Sequence, residues 1–265
     1  MTDTPHLEAV QARLEARVAT LTLNEPDKRN PLSAEMIRDL GRGLAWAQAE
    51  PEARVLVITG AGEKAFCAGA DLGSAFDAGA SEIERHHARR GIAELFTRMR
   101  ALGKPIVGRI NGHALAGGFG LACACDILIA AETASFGTPE INVGVWPMMI
   151  SAVLARNLPR KLVLEMMLLG ERYSAEKMHA AGLVRKVVPL EQLDEAVAEV
   201  TGKLAAKSPA ILRLGRDAFY TMEDMQFAAA LEYLQGQLSL VTLTEDTKEG
   251  IKAFFEKREP EFRGK

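Results

Sequence analysis

"KPIVGRINGHALAGGFGLACACDILIA", residues 104–130, sets two aliphatic runs on either side of a cluster of small residues. "PIVGRIN" (105–111) and "DILIAA" (126–131) are short and rich in isoleucine, valine and leucine, the composition of buried strands. Between them, "GGFGLACACD" (117–126) reads as a helix opened by Gly117 and Gly118. Strand, turn, helix, strand is the repeating order of an α/β core.

The same grammar extends upstream. "RVLVITG" (54–60) predicts another buried strand, and "AGEKAFCAGAD" (61–71) returns the chain through a second small-residue turn. "RVATLTL" (17–23) partly alternates and suits a strand. "NEPDKRNPL" is a connector with two prolines. Ser33 is placed to cap a helix whose stripe is Met36, Leu40, Leu44 and Ala47, with Glu35 in the first turn. Residues 81–102 carry Ile83, Ile92, Leu95, Phe96 and Met99 at helical spacing among many charges. After about residue 190 the strand signal fades into helices at 190–208, 209–222 and 227–243. Their apolar faces are too wide for solvent, so they are expected to pack on another subunit.

With 48% apolar and 25% charged residues, the 265-residue chain has ordinary globular composition. A net charge of −3 lacks the basic surplus of a nucleic-acid binder, though a local basic patch for a phosphorylated ligand is compatible with it. Three cysteines, Cys67, Cys123 and Cys125, are too few and too odd for a disulfide framework. They have no second Cys/His cluster, so no zinc site is expected. The longest uncharged run, between His113 and Asp126, falls short of the roughly 20 apolar residues of a membrane span. No basic-then-apolar leader is seen, and a cytoplasmic location is expected.

Two small-residue turns beside two strands admit two readings. Gly117 and Gly118 can serve close packing of helix on strand. Alternatively, bare backbone lets a ligand oxygen approach unpaired N–H groups, and two such donors from separate turns make an oxyanion hole. Neither turn matches a Walker loop or G-x-G-x-x-G, and no Ser/His/Asp set or G-x-S-x-G elbow stands out.

The stretches "KAFCAGADL", "KPIVGRINGHALAGGFGLACACDILIA", "ASFGTPEINVGV", "GERYSAEKMHAAGLVRKVVP" and "FFEKREPEF" run in one order from about residue 15 to the end. Together they resemble the crotonase superfamily, the enoyl-CoA hydratase/isomerase group. The resemblance implies an α/β spiral of ββα units over residues 1–195. It implies a helical oligomerisation region over 196–265, forming a homotrimer or a dimer of trimers. It also implies an acyl-CoA substrate whose coenzyme A is part of the substrate, with no separate cofactor, no metal, no nucleic acid and no membrane.

Carried over residue by residue, the resemblance places the oxyanion donors on the backbone N–H groups of Ala70 and Gly117. The catalytic acid/base falls on Glu140 of "FGTPEINVG". Coenzyme A contacts fall on Lys28, Arg29, Ala68, Asp71, Leu72 and Lys257, the last beside Arg258 in a tail that reaches a neighbouring subunit. Trp146, Met148 and Met149 are expected to line the acyl pocket. Two-carboxylate hydratases of the family carry a second Glu where this chain has Gly120. One carboxylate suffices to move a double bond, so isomerisation is mechanistically favoured and hydration stays possible. Related dienoyl isomerases and hydrolases place an Asp where this chain has Met148. Thioester hydrolysis and non-catalytic acyl-CoA binding are the alternatives. Of the remaining candidates, Asp126 begins a strand and points away from the thioester, Asp71 suits a helix cap, and a lone His113 reads as structural.

Overall fold

The structure, a computed structural model, describes residues 3–70 and 81–265, apart from the side chains of His87 and Ala88. A six-stranded sheet holds β1 (Val10–Glu15), β2 (Val18–Leu23), β3 (Val55–Gly60), β5 (Ile106–Ile110), β7 (Ile127–Ala131) and β10 (Val184–Val188), in that order. A four-stranded sheet holds β4 (Ala65–Cys67), β6 (His113–Leu115), β8 (Ser135–Gly137) and β9 (Arg172–Ser174). Consecutive pairs β3–β4, β5–β6 and β7–β8 thus give one strand to each sheet, and helices close the turns of the spiral. This is the crotonase-type α/β architecture that the sequence implies.

The interior strands of the larger sheet pair in parallel from β2 through to β10, while β1 runs antiparallel to β2. Parallel strands are covered on both faces and so lose their polar alternation. Every residue of β3 is buried for that reason. Leu56, Ile58, Ile106, Ile110, Leu128 and Ala130 face the main core with Met36, Leu40 and Leu44. Val55, Val57, Val107, Ile129 and Ala131 point the other way, onto Leu193, Ala196, Val197 and Val200. Those four belong to the helix Leu193–Ala205, which crosses position 196 and packs on the sheet.

Ser33 accepts from Met36 N at 3.1 Å and caps the helix Ala34–Ala49. The helix Glu82–Arg100 opens on a capping box at Ser81 and Glu84. Of its predicted stripe, Leu95 and Met99 are buried, while Ile83 in the first turn is 70% exposed. Asp126 is structural: it accepts from Ile106 N at 2.7 Å, Arg216 Nε at 2.9 Å and the Tyr220 hydroxyl at 2.5 Å, and so ties the helix Pro209–Met222 to the core.

Beyond that helix the chain covers itself poorly. Among the described residues, the helix Phe227–Leu243 buries only Ala230. Phe227, Leu243, Phe254 and Phe255 are each more than 70% exposed. No described helix is long and apolar enough to cross a membrane.

Candidate active site

Three adjacent parallel strands of the smaller sheet, β4, β6 and β8, end side by side. Ala70 lies three residues past Cys67, Gly117 two past Leu115, and Glu140 three past Gly137. Ligands of open α/β sheets gather at such carboxyl ends, because neighbouring loops diverge there.

Two buried asparagines hold the corner before Ala70. Asn30 Nδ2 donates to the carbonyls of Ala61 and Ala65, each at 3.0 Å, and its Oδ1 accepts from Glu25 N at 3.0 Å. Asn111 Oδ1 accepts from Gly60 N at 3.1 Å, while its Nδ2 donates to Gly62 O at 2.7 Å. The 29–32 loop then runs beside the turn: Ala68 N donates to Arg29 O at 3.0 Å, and Leu32 N to Gly69 O at 2.8 Å. Sequence periodicity carries no sign of these asparagines. Their work is to satisfy backbone groups at a corner, which leaves no apolar pattern.

The two small-residue turns touch. A Cβ at Gly69, whose φ is +93°, would lie 2.6 Å from Ala116 Cβ and 3.1 Å from Gly117 N. A Cβ at Gly117 would lie 3.8 Å from Ala70 N. Ala116 itself sits at φ 51°, ψ −128°, a strained conformation for a residue with a side chain. Its N–H donates to Gly137 O at 2.9 Å, which ties the turn to β8. Among the described residues, neither Ala70 N–H nor Gly117 N–H is used in a hydrogen bond. The packing reading of these glycines has direct support. Gly118 serves packing, since a Cβ there would meet Cys67 O at 2.2 Å. A Cβ at Gly117 would stand 3.0 Å from Leu32 Cδ1.

Glu140 sits in the first turn of the 3-10 segment Pro139–Val143. Val145 N donates to Glu140 O at 3.0 Å, and Asn142 Nδ2 to Gly170 O at 3.0 Å, so the segment is pinned at both ends. Glu140 is half-buried, and its Oε2 is buried without a partner. Burial pushes its carboxyl above the usual carboxylate range, and a bond from its own N–H partly offsets this. Thr138, fully buried, also leaves its Oγ1 unpartnered.

No second carboxylate has room at Gly120. A Cβ there would lie 2.4 Å from Ile150 Cγ2 and 3.0 Å from Phe96 Cζ. Ile150 is buried and Phe96 half-buried, so two apolar side chains from separate helices occupy that space. The glycine was legible in the sequence; the isoleucine and phenylalanine that complement it were not, because they are 30 and 24 residues away from it.

The remaining predicted residues are spread more widely. Ala68 is half-buried beside Arg29, whose φ is +65°. Lys28 is exposed and pairs with Glu25 at 2.8 Å. Lys257 caps the helix Glu245–Glu256 at φ 54°, whereas Arg258 is engaged by Glu249 at 2.6 Å and Glu256 at 2.7 Å. Trp146 packs against the main core and Met149 is half-buried, but Met148 is 70% exposed. Asp71 and Leu72 lie outside the described residues.

His113 shares a hydrogen bond with Ser135 Oγ at 2.9 Å. Burial, with Arg172 and Arg29 nearby, pushes its pKa down. Cys67, Cys123 and Cys125 are free and buried; burial raises the Cys67 thiol to about 12, which suppresses the nucleophilic thiolate. Among the described residues, no three His, Cys, Asp or Glu side chains are grouped to hold a metal ion.

Comparison with known proteins bears on this geometry. The model of the enoyl-CoA hydratase/isomerase family matches residues 13–265. The chain is similar to a 2,3-dehydroadipyl-CoA hydratase of Escherichia coli K12, 34% identical over 250 residues, which cover 94% of this chain and 96% of that one. It is 35% identical over 248 residues to an (E)-benzylidenesuccinyl-CoA hydratase of Thauera aromatica, covering 93% of this chain and 96% of the relative. A crystal structure of an enoyl-CoA hydratase from Bacillus anthracis superposes with a TM-score of 0.92 at 34% identity, covering 97% of this chain and 100% of that one.

Proposed function

We propose that this chain, which belongs to the enoyl-CoA hydratase/isomerase family, moves the double bond of enoyl-CoA thioesters with Glu140 as its single acid/base. In this reading the thioester carbonyl accepts hydrogen bonds from the N–H groups of Ala70 and Gly117. Glu140 removes a proton from C2 of a 3-enoyl-CoA. The electron pair spreads toward C4 and the thioester oxygen, where two fixed donors stabilise it. Protonated Glu140 then returns the proton to C4 and the conjugated 2-enoyl thioester leaves. The upward shift of its pKa makes Glu140 a stronger base for the first transfer than an exposed carboxylate.

The observation that carries the preference is the apolar filling at Gly120, where Ile150 and Phe96 leave no space for a second carboxylate. The hydratase names of the relatives support water addition as the second reading. We assign coenzyme A contacts to Lys28, Arg29, Ala68, Asp71, Leu72 and Lys257, and the acyl wall to Trp146, Met148 and Met149. The three free thiols accord with the reducing cytoplasm.

A thioester panel with product analysis tests the reading. From 3-enoyl-CoA the expected product is conjugated 2-enoyl-CoA, formed faster than 3-hydroxyacyl-CoA forms from the 2-enoyl substrate. Release of free coenzyme A would instead identify a hydrolase, and binding without conversion of any thioester would identify a non-catalytic member.

We further propose that residues 1–195 carry the site and that 196–265 assemble the chain into a trimer or dimer of trimers. The exposed Phe227, Leu243, Phe254 and Phe255 motivate this, because a lone chain rarely leaves so much apolar surface in water. Light scattering is expected to give three or six chain masses; a monomer at micromolar concentration would refute it.

A further inference from the structure

Thr138 and Glu140 flank Pro139 where β8 gives way to the 3-10 turn. Four buried side-chain polar atoms lack a partner among the described residues: Trp46 Nε1, Thr138 Oγ1, Glu140 Oε2 and Asp217 Oδ1. Two of the four fall within one tripeptide, beside the opening between the small-residue turns. A buried polar atom left dry is costly, and native structures usually satisfy it with protein or ordered water. Pro139 between them has no N–H to offer. A water needs at least two polar partners to be held in a buried position. A hydroxyl and a carboxylate oxygen two residues apart supply them.

We propose that Thr138 Oγ1 and Glu140 Oε2 together hold one buried water, and that this water is the one added when the enzyme hydrates a 2-enoyl-CoA. The inference rests on the acid/base role of Glu140 and extends it to a second branch of the reaction. Glu140 takes one proton from the water as its oxygen bonds to C3 of the substrate. The C2–C3 π pair moves to C2 and the thioester oxygen, held there by the two amides. Protonated Glu140 then delivers that proton to C2. The other hydrogen stays on the new hydroxyl; before attack it is donated to Thr138 Oγ1, which aims the water's lone pair at C3. Thr138 touches the water and not the substrate, so it is a positioning residue. With a hydroxyl in place of a second carboxylate, water addition becomes possible in a site whose Gly120 space is filled by Ile150 and Phe96.

Thr138→Val removes the hydroxyl and keeps the shape; Thr138→Ser keeps the hydroxyl. The probes are 2-butenoyl-CoA for hydration and a 3-enoyl-CoA for isomerisation, assayed on the same preparations across pH. Thr138→Val is expected to lower the hydration kcat about tenfold, the worth of one positioning hydrogen bond, with KM unchanged. Isomerisation, which adds no water, should fall less than hydration does. The acid limb of its pH profile should move upward, because the Glu140 carboxylate has lost a solvating water. Thr138→Ser should restore hydration, and the Tm of the valine variant should not rise. A dry hydroxyl would give the opposite result: Thr138→Val more stable than the parent, with hydration and pH profile unchanged. That outcome, or a wild-type enzyme that adds no water, overturns the inference. If Glu140→Gln keeps full turnover, the acid/base reading itself has failed, whatever the threonine variants do.

Discussion

Glu140→Gln is expected to lower kcat/KM for double-bond migration about a hundred- to ten-thousandfold, the usual contribution of a positioned acid/base. The amide keeps the size of the side chain and can still hydrogen-bond, but it has no proton to exchange at neutral pH. Substrate binding should hold if, as proposed, the thioester is gripped by the main-chain N–H groups of Ala70 and Gly117 in other turns. The loss should therefore fall on kcat, with KM little changed. Stability is expected to move the other way. Burial raises the folded-state pKa of Glu140 above its unfolded value. Below the unfolded pKa both states carry the proton and there is no penalty. As pH rises from there through the folded pKa, the unfolded chain ionises first, and the folded state loses stability relative to it. Above the folded pKa the wild type bears that cost and the glutamine variant does not. A variant that is inactive yet at least as heat-stable as the parent is the expected signature, read from steady-state kinetics and calorimetry. The wild-type activity should also fall with acid through a pKa above the ordinary carboxylate range. Unchanged turnover in Glu140→Gln would remove the carboxylate from the mechanism.

How far the sequence reaches depends on the length over which each element repeats its pattern. The strands read at 54–60, 105–111 and 126–131 stand at Val55–Gly60, Ile106–Ile110 and Ile127–Ala131, because double burial makes each predominantly apolar, with Arg109 the one charged residue among them. The cap at Ser33 was legible because its chemistry is local. The smaller sheet was not. Its strands β4, β6, β8 and β9 are three residues each, too short for any period, and past Ile110 the chain turns a corner at Asn111 and Gly112 between two sheets. A Cβ at Gly112 would meet the Lys64 carbonyl carbon at 2.6 Å, a tertiary reason for that glycine that no local pattern encodes. The same distinction holds at the site. The proposed roles of Ala70, Gly117 and Glu140 come from motifs. Asn30, Asn111, Ile150 and Phe96 answer to partners distant in sequence. Their roles emerge only when the three strand ends are seen together.

Gly69→Ala is expected to have the second large effect, and to join fold to catalysis at one atom. Its φ of +93° already disfavours any side chain, at a cost on the order of 1–3 kcal/mol. The added methyl would also stand 2.6 Å from Ala116 Cβ and 2.9 Å from Leu115 O, both on the opposing turn. Neither is the free end of a flexible side chain, so the turns themselves must separate. Ala70 follows directly and Gly117 N lies 3.1 Å from the new carbon, so separation displaces both proposed donors. Losing one such donor costs a factor of roughly 10²–10³ in kcat. Gly182→Ala separates strain from collision. Gly182 has a similar φ of +83°, but a Cβ there meets nothing within 4 Å. It should lose on the order of 1–3 kcal/mol of stability at most and no activity. Urea midpoints and kcat measured together therefore give a diagnostic pair, in which Gly69→Ala loses both quantities and Gly182→Ala only the first. If the folded Gly69→Ala protein turns over like the parent, the two turns are packing surfaces and do not hold the thioester oxygen between them.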